Sequence, residues 1–241
     1  MANKNQHHEP RRKRSVRKRH VRHRPARPPR ARREAALPAP GSSVVFDPVL
    51  AFPPAPSQAD PHALEPQEVQ FGGWPHILRP LGPADEGRLI SFFNSHTEET
   101  IRQRYGYHIS EMTHERARRL VGVDQARDAA LGIFERAPDG EEVLHAVGRY
   151  LLDAAGRSAE MAFVVRESKR HLGICTTLLR HLLHIARHRG LGYLYAQVQA
   201  DNAPMLAIFR RHHGRTKSIF GADAVEVFVP TVPPQTSPPG R

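Results

Sequence analysis

The chain has 241 residues, 39% hydrophobic and 25% charged, which is enough for one sizeable core, while 22 prolines and a mean hydropathy of −0.54 point to unfolded tails. The net charge of +12 is concentrated in residues 1–35, which carry fourteen Lys/Arg against two Glu, and the remainder balances at 22 of each sign, excluding a uniformly basic nucleic-acid-binding body. A single cysteine, Cys175, excludes an internal disulfide, and no apolar run reaches the roughly 18 residues of a membrane span, so a cytoplasmic protein with no membrane partner is expected.

Residues 1–35, rich in Arg, Lys, His and Pro, read as a disordered basic tail. Residues 36–73 are rich in Pro, Ala and Ser with scattered apolar side chains, the composition of a linker that docks locally, and residues 231–241 (TVPPQTSPPGR) read as a second disordered tail. The domain is therefore placed at residues 74–230. It opens with a short strand over 76–81, then a helix started by Pro83-Ala84-Asp85 and carrying Leu89, Ile90, Phe92 and Phe93. Helices over 97–103 and 113–121 follow, the second capped by Thr113. Three strand-like runs, 129–136, 142–152 and 159–165, are separated by turn signals and predict an antiparallel meander.

From Leu172 to His188 apolar residues recur at helical spacing, and Gly190 stops the helix. A strand over 193–199, a short helix over 202–211 and strands over 216–220 and 224–229 complete an α+β domain with a mixed, mostly antiparallel central sheet flanked by helices.

The junction between the strand ending at Val165 and the next helix carries the chemistry. A glycine-containing loop that opens a helix presents unpaired N–H groups at the positive end of the dipole, which suits a phosphate or pyrophosphate. No GxxxxGK[ST] or GxGxxG is present, so neither a P-loop nor a dinucleotide fingerprint explains it.

The apolar strand Phe163-Val164-Val165 followed by Arg170-His171-Leu172-Gly173-Ile174-Cys175 resembles the acyl-CoA loop [Q/R]-x-x-G-x-[G/A] of the GNAT N-acetyltransferases, with Cys175 departing from the last position. Asn202, starting a short helix after the next strand, is similar to a further element of that family. The segments LRPLGPADEGRLISFF, TEETIRQRY and AEMAFVVRESKRHLGICTTLLRHLLHIARHRGL are most similar to bacterial protein lysine acetyltransferase domains. The resemblance implies a GNAT fold and transfer of an acetyl group from acetyl-CoA to an amine, a protein lysine among them, by direct attack in a ternary complex. It also implies that Phe163, Val164 and Val165 pair with pantetheine, that Arg170 and the amides of His171, Leu172, Gly173, Ile174, Cys175 and Thr176 hold the pyrophosphate, and that Asn202 contacts the CoA arm.

An amine with a pKa near 10.4 must lose a proton before it attacks. By resemblance Glu160 is the base, ahead of Ser158 and Tyr150, with the amide of Val164 or Val165 stabilising the oxyanion. Many relatives place a tyrosine seven residues after the Asn as an acid, where this chain has Phe209. The alternative is a catalytically silent acyl-CoA sensor or adaptor with a nucleic-acid-binding tail. His181, His184 and His188 stand at i, i+3 and i+7, but no carboxylate or cysteine completes the set, so a solvated face and no metal are expected. Residues 1–35, lacking interleaved aromatics, read as a solubilising arm with weak nucleic-acid or polyanion binding.

Overall fold

In chain order the secondary structure is α1 (Pro48–Ala51), β1 (Gln67–Phe71), β2 (Trp74–Pro80), a 3-10 turn (Pro83–Asp85), α2 (Glu86–Asn94), α3 (Glu98–Tyr105), α4 (His114–Val121), β3 (Ala129–Arg136), β4 (Glu142–Leu152) and β5 (Ser158–Val165). A second 3-10 turn (Glu167–Lys169), α5 (Ile174–His188), β6 (Tyr193–Gln199), α6 (Ala203–Arg211), β7 (Arg215–Ser218) and β8 (Ala224–Pro230) follow. The structure is a computed structural model and describes residues 47–52, 54–55, 60, 62–105 and 110–233. The expected tail at 1–35 and residues 234–241 lie outside the described residues.

The strands form one sheet in the order β1-β2-β3-β4-β5-β6-β8-β7, in which every neighbouring pair is antiparallel except β5 and β6. Alternation divides the core between two faces. Leu131 and Ile133 of β3 and Met161 of β5 pack against Leu178, Leu179 and Leu182 of α5, whereas Phe134 and Val164 pack against Phe92 and Phe93 of α2 and Ala117 of α4. Gly148 of β4 lets α5 cross closely, because a Cβ there would stand 3.1 Å from Leu178 Cβ and 3.2 Å from Phe163 Cδ1. Between the sheet and α2, the Arg79 fork donates to both oxygens of buried Asp85 at 2.8 Å and to Glu142 at 2.6 Å. Burial works against ionised Asp85, but Arg79 and the Gly82 amide outweigh it and hold its carboxyl below the usual range.

Two expected boundaries are corrected. The segment read as linker over 36–73 contains α1 and β1, and Phe71 is buried in the core shared with α5. Gly72 and Gly73, at φ 59° and 83°, make the two-residue turn that pairs Phe71 with Trp74. At the other end Thr231 is buried: its N–H donates to Gly192 O at 3.0 Å and its hydroxyl to Leu191 O at 2.5 Å, so the body extends past Pro230. Helix α5 starts at Ile174 rather than Leu172, because Gly173 at φ 85° lies in the left-handed region and caps it.

Because Phe71 is a core residue, Phe71→Ala is expected to cost about 3–5 kcal/mol in urea unfolding. A change near zero would show that β1 is not part of the cooperative unit.

Candidate functional site

Strand β5 pairs with β4 from Ala159 to Val165 but with β6 only at Ser158↔Tyr193, Ala159↔Leu194 and Glu160↔Tyr195. Beyond Glu160 the two parallel strands part, while β6 stays paired to β8 from Tyr193 to Gln199. The opening therefore lies between the carboxyl ends of two strands that are each anchored on their outer side.

The orientation of the freed backbone follows from the antiparallel pattern. Arg166 N–H donates to His145 O at 2.8 Å and Asp153 N–H to Ser158 O at 2.9 Å, so the even-numbered residues of β5 exchange hydrogen bonds with β4. The N–H and C=O groups of Phe163 and Val165 consequently face the opened edge. Val164 does not share this role: its backbone faces β4 and its side chain is buried against α2 and α4, which corrects its expected contact with a ligand and its amide as an oxyanion donor. Beneath the opening, the Phe163 ring meets Phe209 of α6 at 6.3 Å between centroids. Phe209 is 1% exposed and carries no acid.

Glu160 is the last residue of β5 paired with β6 and is exposed, so its carboxylate stands at the apex of the opening. By alternation it shares a sheet face with Val164, opposite α5. The other two base candidates are engaged. Tyr150 is fully buried, its hydroxyl accepts from Arg189 at 2.6 Å, and burial pushes its pKa up to about 12. Ser158 is buried and donates to Asp153 Oδ2 at 2.5 Å, while the other oxygen of Asp153 accepts from Tyr195 at 2.8 Å.

From β5 the chain runs through residues 166–173 into α5. His171 and Gly173 both have positive φ, 63° and 85°, and no hydrogen-bond acceptor among the described residues meets the N–H groups of residues 171–176. Successive free amides at the start of a 15-residue helix form a positive concavity that suits a pyrophosphate. The side chain of Ile174 is buried, so only its amide can contribute. Cys175 donates from Sγ to Met205 Sδ of α6 at 3.5 Å, and burial pushes its pKa up to about 12, which leaves it no part as a nucleophile. Asn202 caps α6, its Oδ1 accepting from Met205 N–H at 3.2 Å, which leaves the carboxamide NH₂ for other contacts.

The loop is braced on both sides, and apart from Arg170 by residues the sequence did not single out. On one side Glu167 accepts from Thr97 N–H at 3.0 Å and Thr97 Oγ1 at 3.1 Å, and His96 Nδ1 lies 3.1 Å away. Arg170 donates to Thr100 Oγ1 at 2.7 Å, so its guanidinium braces the loop against α3. Burial works against ionised Glu167, but hydrogen bonds from Thr100 and Thr97 hold its pKa well below the carboxylate range. On the other side Lys169 donates to Glu135 Oε2 at 2.5 Å, and His145 Nε2 lies 2.9 Å from the same oxygen. His145 is the extra residue of a bulge in β4, where Ile133 pairs with Ala146 and Phe134 with Leu144. Burial and the Lys169 charge lower its pKa to about 4.

A mixed sheet opened between two parallel strands, with a glycine-capped helix at the open end, is the architecture of an acyl-CoA N-acyltransferase. The Acetyltransferase (GNAT) family profile matches residues 89–214, more than half of the chain, and the chain belongs to that family, whose members use acetyl-CoA and act on amines. The chain is 26% identical over 129 residues to the acetyltransferase PA5475 of Pseudomonas aeruginosa, covering 54% of this chain and 69% of that protein. Among solved structures, the GNAT domain of S. lividans PAT superposes with a TM-score of 0.62 at 23% identity, over 72% of this chain and 99% of that one. A cAMP-binding acyltransferase from Mycobacterium smegmatis aligns at 25% identity with a TM-score of 0.49 over 71% of this chain, which spans about half (49%) of that protein's length.

The braces predict an acid-sensitive loop. The folded state keeps His145 neutral down to about pH 4, whereas the unfolded chain protonates it near 6.5, so its contribution is complete above 6.5 and is lost as pH falls towards 4. His96, also lowered by burial, acts in the same direction. His145→Gln is expected to flatten the fall of Tm between pH 6.5 and 4; an unchanged slope would contradict this origin.

Proposed function

We propose that the chain transfers an acetyl group from acetyl-CoA to a primary amine by direct attack in a ternary complex, with Glu160 as the base. The observation that carries this reading is the parting of β5 and β6 immediately after Glu160, which leaves the amides of Phe163 and Val165 on an open edge beside an ionisable carboxylate. An extended pantetheine arm pairs with that edge as an added strand would, and the free amides of His171, Leu172, Gly173, Ile174, Cys175 and Thr176 receive the pyrophosphate. Asn202 supplies a further donor through its NH₂.

A lysine amine is mostly protonated at neutral pH, and Glu160 removes that proton directly or through one water. The amine nitrogen attacks the thioester carbonyl carbon, and an amide N–H on the opened edge, that of Phe163 or Val165, stabilises the oxyanion. Collapse breaks the C–S bond and forms the amide as the nitrogen gives up its second proton through water to the departing sulfur, so CoA leaves as the thiol; a thiolate is a tolerable leaving group with a reference thiol pKa near 8.5, so Phe209 in place of an acid is no obstacle.

Two features support a protein lysine as acceptor. The segments LRPLGPADEGRLISFF, TEETIRQRY and AEMAFVVRESKRHLGICTTLLRHLLHIARHRGL resemble bacterial protein lysine acetyltransferase domains, and Glu160 is exposed beside its cross-strand neighbour Leu151, itself 41% exposed, which suits a side chain presented from another protein's surface. Use of acetyl-CoA as donor supports a cytoplasmic location. The concentration of charge in residues 1–35 supports polyanion binding by that segment, and its deletion is expected to abolish salt-sensitive nucleic-acid retention while leaving acetyl transfer intact. Retention that survives the deletion would place the binding elsewhere in the chain.

Glu160→Gln is expected to lower kcat by about 10²–10⁴-fold and leave acetyl-CoA affinity unchanged in calorimetric titration. Tight binding with no turnover of any amine by the unmodified chain would favour the silent sensor instead.

A further inference from the structure

The structure supplies the carboxylate that the histidine face of α5 lacks in sequence. His184 and His188 lie one helical turn apart with ring centroids 4.3 Å apart, and both turn Nε2 towards the same oxygen, Oδ2 of Asp60, at 2.7 and 4.0 Å. His181 takes no part, since its ring nitrogens lie at Thr177 O and Gln67 Oε1. Asp60 is aimed by its own backbone: Oδ1 accepts His62 N–H at 2.9 Å, which leaves Oδ2 to face the two rings.

We propose that Asp60, His184 and His188 form a binding site for a divalent transition-metal ion, Zn²⁺ in the first instance, that clasps the segment before β1 to the C-terminal end of α5. The ligand types suit zinc, with imidazole nitrogens and a carboxylate oxygen at bond lengths of about 2.0–2.2 Å. Tetrahedral ligands at those lengths stand about 3.3 Å apart, and the observed 2.7 and 4.0 Å separations from Asp60 Oδ2 straddle that value, all three ligand atoms lying within 4.8 Å of one another. The two separations from the carboxylate each need to change by about 0.6–0.7 Å to reach that value, with water as the fourth ligand. The carboxylate held by a backbone N–H is the kind of outer support that metal ligands receive.

The contrasting triad, His76, Glu135 and His145, carries no such inference, because Lys169 Nζ at 2.5 Å from Glu135 Oε2 already neutralises the carboxylate. The clasp has a structural consequence. Ala63 and Leu64, directly after Asp60, pack against the core that α5 shares with β1, so an ion at Asp60 fixes the approach of the chain to its first strand. This inference is independent of acetyl transfer.

The test is calorimetric titration of ZnCl₂ into the chelator-treated 241-residue chain, together with thermal melts with and without Zn²⁺. One equivalent is expected to bind and to raise Tm. The double variant His184→Ala/His188→Ala retains the other fourteen histidines and Cys175, and is expected to lose more than about tenfold in affinity and the whole Tm increase. Asp60→Asn, which keeps an oxygen for the His62 amide, is expected to weaken binding as well. The proposal is overturned if the chain takes up no Zn²⁺, or if the double variant binds it as tightly as the unmodified chain. Unchanged affinity in Asp60→Asn would remove the carboxylate from the site and with it the clasp. Equal melting temperatures of all variants in chelator would show that the losses are not failures of folding.

Discussion

Everything at the candidate site depends on β5 being held along one edge and released along the other. Its antiparallel pairing with β4 runs unbroken to Val165, while its parallel pairing with β6 ends at Glu160. Parallel ladders are slightly weaker per residue, and β6 is committed to β8 over seven pairs, so the sheet opens at this seam. The opening leaves backbone donors and acceptors on β5 that only water or an extended ligand can satisfy. Aromatic packing of Phe163 on Phe209 closes the floor of the opening.

The loop that follows owes its shape to polar braces rather than to core packing. Glu167 and Arg170 tie it to Thr97 and Thr100 at α3, and Lys169 ties it to Glu135 beside the β4 bulge. Opposite charges are thereby spent within the protein, and the anion-facing surface consists of backbone amides and the helix dipole. The cost of these braces is two buried histidines, His96 and His145, each with one ring nitrogen that finds no partner among the described residues.

The meander was legible because β3, β4 and β5 carry long apolar runs between clear turns, and α5 because six of its fifteen residues are buried at helical spacing. The loop motif and Asn202 drew attention to the junction at which the structure opens the seam between β5 and β6. Strand β1 was missed because QEVQF is short and largely polar, although Gly72-Gly73 before the next strand was a hairpin signal in plain view. The misassignment of Val164 has a different cause: which amides of a strand face a given edge is fixed by hydrogen-bond register with its neighbour, and sequence alternation does not reveal it. Asp60 was invisible for a third reason, since it reaches His184 from 124 positions away.

The central claim, that the opened edge of β5 and the start of α5 together receive acyl-CoA, is tested most directly by residue-resolved amide hydrogen exchange with and without CoA. The account predicts slowed exchange at Phe163 and Val165 and across residues 171–176, with Val164 unchanged because its amide is already committed to β4. Saturating CoA with no added protection at those amides, or protection confined to another part of the sheet, would contradict it.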